Sequence, residues 1–143
     1  MMTVVDASVA LKWFLPEPDS AKAEELLGAA TILVAPTLIV SEVCNAAWKR
    51  LRRGETTAQH ADWIAERIGT LGMMLIADET LAAAAMHIAC RLDHPVYDCF
   101  YLALAEQRDA RMVTADRRLI ARLQGTGWEH RVQALADFGA AAP

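Results

Sequence analysis

Four carboxylates stand at positions from which one α/β fold could bring them together. Asp6 ends the run Thr3-Val4-Val5, and Glu42 follows Leu38-Ile39-Val40-Ser41. Asp98 comes after the break Asp93-His94-Pro95, and Asp116 lies just past Arg111-Met112-Val113-Thr114. Acids gathered at one point repel each other, and a fold gains little by collecting them. A hard divalent cation supplies the reason, because Mg²⁺ and Mn²⁺ take oxygen ligands and hold phosphates as further partners. Such an ion lowers the pKa of bound water and stabilises charge on a phosphodiester under attack. Singly, the acids have plainer uses: Asp6 as a turn residue, Asp98 and Asp116 as helix caps. Glu42, flanked by Val40, Val43 and Ala46, sits near a buried face, where an unpaired carboxylate is costly. Jointly they read as a metal site.

The elements that must position them follow from the apolar pattern. Short β-branched runs at residues 3–5, 31–35, 74–77 and 111–114 suit strands buried on both faces, and residues 131–133 suit a short last strand. Between them, helical patterns span about 9–15, 20–27, 38–53, 57–71, 79–91, 97 onward and 117–123. Asp19 or Ser20, Thr56 or Thr57, and Asp78 are the expected caps, with Gly28, Gly54 and Gly72 as stops. Strands alternating with helices predict an α/β domain with a mostly parallel sheet of four or five strands and helices on both faces. The carboxyl-terminal edge of such a sheet is where ligands bind. Asp6 and Asp116 fall at that edge, Glu42 a turn into the third helix, and Asp98 at the start of its own helix.

A chain of 143 residues predicts one domain, residues 1–138, with a frayed tail at 139–143. With 55% hydrophobic residues and four Trp, it has more apolar surface than one core needs, which predicts a homodimer or a partner face. The formal charge of −4 excludes binding duplex DNA by bulk charge alone. Cys44, Cys90 and Cys99 lack C-x-x-C spacing, which argues against a zinc site and for a reducing compartment. No basic leader and no membrane-length apolar run is visible, so a cytoplasmic protein without membrane attachment is expected.

Four stretches, in order and spread over nearly the whole chain, carry a resemblance: Val5-Asp6-Ala7-Ser8, Ser41-Glu42-Val43, Tyr97-Asp98-Cys99-Phe100-Tyr101-Leu102-Ala103-Leu104-Ala105 and Val113-Thr114-Ala115-Asp116. Together they resemble PIN-domain ribonucleases of the VapC type, the toxin half of VapBC toxin–antitoxin pairs. The resemblance implies a catalytic and metal-binding set of Asp6, Glu42, Asp98 and Asp116 with Mg²⁺ or Mn²⁺, supported by Ser8 and Thr114. It also implies an RNA substrate, hydrolysed by a metal-activated water, and a homodimer bound by a cognate VapB-type antitoxin. Cys99 departs mildly from the family pattern, which often has alanine there.

Arg117 and Arg118, adjoining Asp116, are candidate RNA contacts. The run Lys49-Arg50-Leu51-Arg52-Arg53 reads first as cations complementing a helix C-terminus. His60, His87, His94 and His130 show no ligand spacing and read as ordinary surface or half-buried residues. Trp13, Phe14 and Trp48 read as packing residues. A phosphatase with a nucleophilic Asp would want a second Asp at the position of Ser8, and a dinucleotide-binding turn would need glycines after the first strand. The rival that remains is a PIN-like module that binds RNA or a partner protein without cutting it.

Overall fold

A computed structural model of the chain describes residues 1–140. Five strands, β1 (Met2–Val5), β2 (Ile32–Pro36), β3 (Met74–Ile76), β4 (Arg111–Thr114) and β5 (Val132–Ala134), form one sheet in the order β3-β2-β1-β4-β5. Every pairing is parallel, with Val4 opposite Val34 on one side and Met112 on the other. The expected mostly parallel sheet is wholly parallel. Val4, Val5, Val34, Ala35, Met112 and Val113 are buried, as strands covered on both faces require.

The chain runs outward from β1 to β3, returns across the sheet to β4 and ends at β5. The intervening helices are α1 (Ala7–Ala10), α2 (Ser20–Leu27), α3 (Leu38–Arg52), α4 (Ala58–Arg67), α5 (Ala82–Leu92), α6 (Val96–Gln107) and α7 (Arg117–Leu123). Right-handed crossovers then assign α1–α4 to one face and α5–α7 to the other. The reversal falls between β1 and β4, and a reversal of this kind opens a crevice beyond the strand ends. Asp6 directly follows β1, and Asp116 follows β4 by one residue.

The layers are fastened by α6. Its residues Cys99 and Tyr101 to Ala105 are all buried, because the helix packs on β1, β2, β4 and α5. Its alanines keep that approach close. The amphipathic α4 buries Ile64 and Ile68 as its spacing predicts, while Ala65 is exposed. Thr57 caps it by accepting the His60 N–H at 3.1 Å.

Several expected caps act differently. Asp19 precedes α2 in the left-handed region (φ 66°) and makes no side-chain cap bond, and Ser20 Oγ accepts from the Glu17 N–H instead. Gly28 ends α2 at φ −87°, with no left-handed turn, whereas Gly54 and Gly72 do take positive φ. Asp78 does not cap the alanine-rich helix. A 3₁₀ turn at Asp78–Thr80 intervenes, and the Asp78 carboxylate accepts the Leu38 N–H at the start of α3 (2.9 Å). Trp48 does not pack in the core: it is 51% exposed, with the Arg52 guanidinium 5.3 Å above its ring. Of the tail expected to fray, Gly139 and Ala140 follow a turn in which the Ala140 N–H bonds Asp137; residues 141–143 lie outside the described residues. None of the described helices is long and apolar enough to cross a membrane.

Candidate active site

Asp6 is the fixed point. Leaving β1 in extended backbone, it becomes the N-cap of α1, and its Oδ1 accepts the Val9 N–H (3.1 Å) and the Ser8 hydroxyl (2.6 Å). The Thr114 hydroxyl at the end of β4 donates to Oδ2. Thr114 Oγ1 in turn accepts the Asp116 N–H at 3.0 Å, and Ser8 Oγ accepts the Ala115 N–H at 3.0 Å. Ser8 and Thr114 thus stitch the ends of the two central strands around one carboxylate. Burial nevertheless dominates, and the Asp6 carboxyl is pushed up to about 6 despite those three donors, with the charge of Asp98 adding to the rise.

Glu42 is half-buried on the second turn of α3. The buried Tyr101 hydroxyl on α6 donates to its Oε1 at 2.6 Å. Burial pushes the Glu42 carboxyl above its usual range, the Tyr101 bond pulls it down, and the charges of Asp98 and Asp78 push it up again. Burial, then Glu42, hold Tyr101 protonated far above the usual phenol range, so it stays a donor.

Asp98 lies in the first turn of α6, two residues inside rather than at the cap, which is Pro95. Its Oδ2 lies 2.7 Å from His94 Nε2, four residues back in the loop. Asp116 does cap α7: Oδ1 accepts the N–H groups of Arg118 (3.0 Å) and Leu119 (3.1 Å). Arg117 and Arg118 are exposed at the start of that helix. Cys99 is buried, and burial followed by the Asp98 charge pushes its thiol up to about 11, which rules it out as a nucleophile near neutral pH.

Asp6, Glu42 and Asp98 share one electrostatic neighbourhood, since the charge of Asp98 reaches both others. Asp116 joins them through Thr114. Among the described residues, no group of three or more His, Cys, Asp or Glu side chains stands close enough together to hold a metal ion as placed. The donor chemistry fits Mg²⁺ or Mn²⁺ all the same. Glu42, Asp98 and Asp116 each spend one oxygen on the protein, and Oε2, Oδ1 and Oδ2 respectively have no hydrogen-bond partner among the described residues. An all-oxygen, open set suits Mg²⁺, which keeps several waters and takes few carboxylates directly.

Two residues of this neighbourhood escape the sequence reading. Tyr101 sits three residues after Asp98, on the same helix face, but its partner Glu42 is 59 residues away. His94 reads as ordinary, although its spacing of four to Asp98 was a usable signal. His60, by contrast, bonds the Phe14 carbonyl (2.8 Å) and stacks on Trp63, away from the acids.

The PIN domain family model matches residues 3–125, and the chain belongs to that family. Ribonuclease VapC3 of Pyrobaculum aerophilum is a particular relative, 33% identical over 121 residues that cover 83% of this chain and 92% of the relative. Solved structures share the fold. The crystal structure of PAE2754 from Pyrobaculum aerophilum superposes with a TM-score of 0.70 at 22% identity, covering 95% of this chain and 85% of that one. A toxin–antitoxin complex from Klebsiella pneumoniae gives 0.63 at 14% identity, covering 93% and 97%.

Proposed function

We propose that this PIN-domain protein is a divalent-metal-dependent endoribonuclease, the toxin of a VapBC-type pair. The relative named as a ribonuclease supports the activity, and the toxin–antitoxin complex of like fold supports a small antitoxin as partner. One observation supports the catalytic reading: the charge of Asp98 reaches both Asp6 and Glu42, and Asp116 follows the strand whose Thr114 holds Asp6, while Glu42, Asp98 and Asp116 each leave one oxygen without a hydrogen-bond partner among the described residues.

Glu42, Asp98 and Asp116 would hold Mg²⁺ or Mn²⁺ by their free oxygens, with Asp6 completing the set. When bound, the ion would lower the pKa of water and stabilise charge on the phosphodiester. Ser8, Thr114 and the Val9 N–H hold Asp6 in one orientation. Tyr101 holds Glu42 by Oε1 and leaves Oε2 unengaged among the described residues, and a carboxylate raised by burial is the better proton acceptor for an attacking water. His94 keeps the Asp98 carboxylate from rotating, the kind of outer bond that fixes a ligand. The exposed Arg117 and Arg118 would meet RNA phosphates. Hydrolysis on this plan leaves 5′-phosphate and 3′-hydroxyl ends.

The purified protein should cut RNA with Mg²⁺ or Mn²⁺ and stop when chelator is added. Asp98→Asn should lose cleavage and also the heat released on metal titration. Metal binding with no cleavage of any cellular RNA would favour the non-cutting module instead, and undiminished cleavage by Asp98→Asn protein would remove Asp98 from the site.

A further inference from the structure

The basic run at the end of α3 is divided by helix geometry into different jobs. Arg50 is ion-paired with Glu17 (2.6 Å) and Glu55 (3.2 Å), and Arg52 stacks on Trp48. Lys49 does neither. It is exposed, and its ammonium makes no hydrogen bond or ion pair among the described residues. It lines instead a groove of about 270 Å³ between α1 and α3, which also touches Ser8, Leu11, Glu42, Asn45 and Ala46.

Glu42, Asn45, Ala46 and Lys49 are spaced i, i+3, i+4 and i+7, one stripe of a helix. The groove therefore opens on two residues of the acidic neighbourhood, Ser8 and Glu42. It runs about 10 Å along α3 to an ammonium with no anionic partner. Past Glu42 no carboxylate lines it, and the Asn45 amide is exposed and unengaged among the described residues.

We infer that this groove seats single-stranded RNA on one side of the scissile bond, with Lys49 on a backbone phosphate and Asn45 donating to the same strand. The inference rests on the ribonuclease reading. A chain of net charge −4 that draws a polyanion toward clustered acids needs a cation at the pocket's edge. Among the described residues, Lys49 is the one cation that lines the groove. A peptide segment of a partner protein is the alternative occupant, since Ala7, Leu11 and Ala46 give one wall an apolar lining.

The test is fluorescence anisotropy of the full chain with a short, mixed-sequence, end-labelled single-stranded RNA in EDTA, where no metal-dependent cutting occurs, across roughly 50 to 200 mM salt. Lys49→Gln should reduce the steepness of log K against log salt by about 0.7, the value for one phosphate contact to a single strand. Arg111→Gln removes the same charge from the opposite end of the sheet and should leave the slope unchanged. Ala46→Trp should fill the groove and lose binding while its circular dichroism stays that of wild type. Equal effects of Lys49→Gln and Arg111→Gln would reduce the matter to net charge and overturn the inference. Groove variants that keep RNA binding but lose a co-expressed antitoxin would assign the groove to that protein. If wild type cuts RNA with metal and the groove variants bind as it does, this inference alone falls. If wild type neither cuts nor binds RNA, the ribonuclease reading falls with it.

Discussion

At the scale of single residues, Asp6 joins stability to function with opposite sign. Its carboxyl titrates at about 6 in the folded protein against an ordinary 3.8. Between those values the folded state keeps a proton that the unfolded chain has released, so stability falls as pH rises through that window. The difference of about 2 units corresponds to at most about 3 kcal/mol, present in full above pH 6 and absent below pH 4. Asn can still accept the Val9 N–H at this position and carries no charge. In chelator, Asp6→Asn should therefore melt several degrees above wild type at pH 7 and level with it near pH 4. An offset equal at both pH values would show that the Asp6 charge is not what destabilises the metal-free protein. Asp6, Ser8 and Thr114 were legible because each ends or follows a strand whose apolar run is itself visible. The role of Tyr101 was not, since its partner lies 59 residues away, and His94 carried only its spacing of four to Asp98, from outside the helix whose periodicity is being read.

At the scale of elements, α3 is started from outside itself. Thr37 makes no side-chain cap bond, and the Leu38 N–H is taken by Asp78 from the turn after β3. The exchange is reciprocal, because Thr37 Oγ1 accepts the Asp78 N–H at 3.2 Å and the Thr37 N–H bonds the Ile76 carbonyl at 2.9 Å. This clamp sets the height at which Glu42, one turn on, meets Tyr101. Asp78→Ala should cost about 1 kcal/mol, the usual loss for a removed cap, read as a lower urea midpoint at unchanged m-value. A midpoint within error of wild type would mean that water replaces the carboxylate without loss. Local order in the sequence points Asp78 toward the helix that follows it, because a cap is recognised by the residues next to it. A cap contributed across 40 residues leaves no such trace. The central strands were legible for the opposite reason, since β1, β2 and β4 are short apolar runs whose residues are mostly buried on both faces, a pattern that needs no partner to be recognised.

At the scale of the whole molecule, apolar side chains remain on the surface, among them Met86 at 55% and Tyr97 at 60% exposed. A second copy of the chain is the occupant that the composition favours, and light scattering at micromolar concentration should give twice 15.6 kDa. A monomer, alone and with the small antitoxin proposed as its partner, would refute the dimer. The strand order has a consequence for how the protein is made. Of the five strands of the sheet, the one made earliest is the central one, and its neighbour β4 begins only at residue 111. Asp6 waits for Thr114, 108 residues later, before its second oxygen is engaged. At about 5–20 residues per second, that interval is several seconds or more of synthesis. Throughout it the nascent chain carries the amino-terminal acid of the site without the edge that completes it. The acidic cluster of this chain is therefore assembled late, only once β4 has been made and folded beside β1.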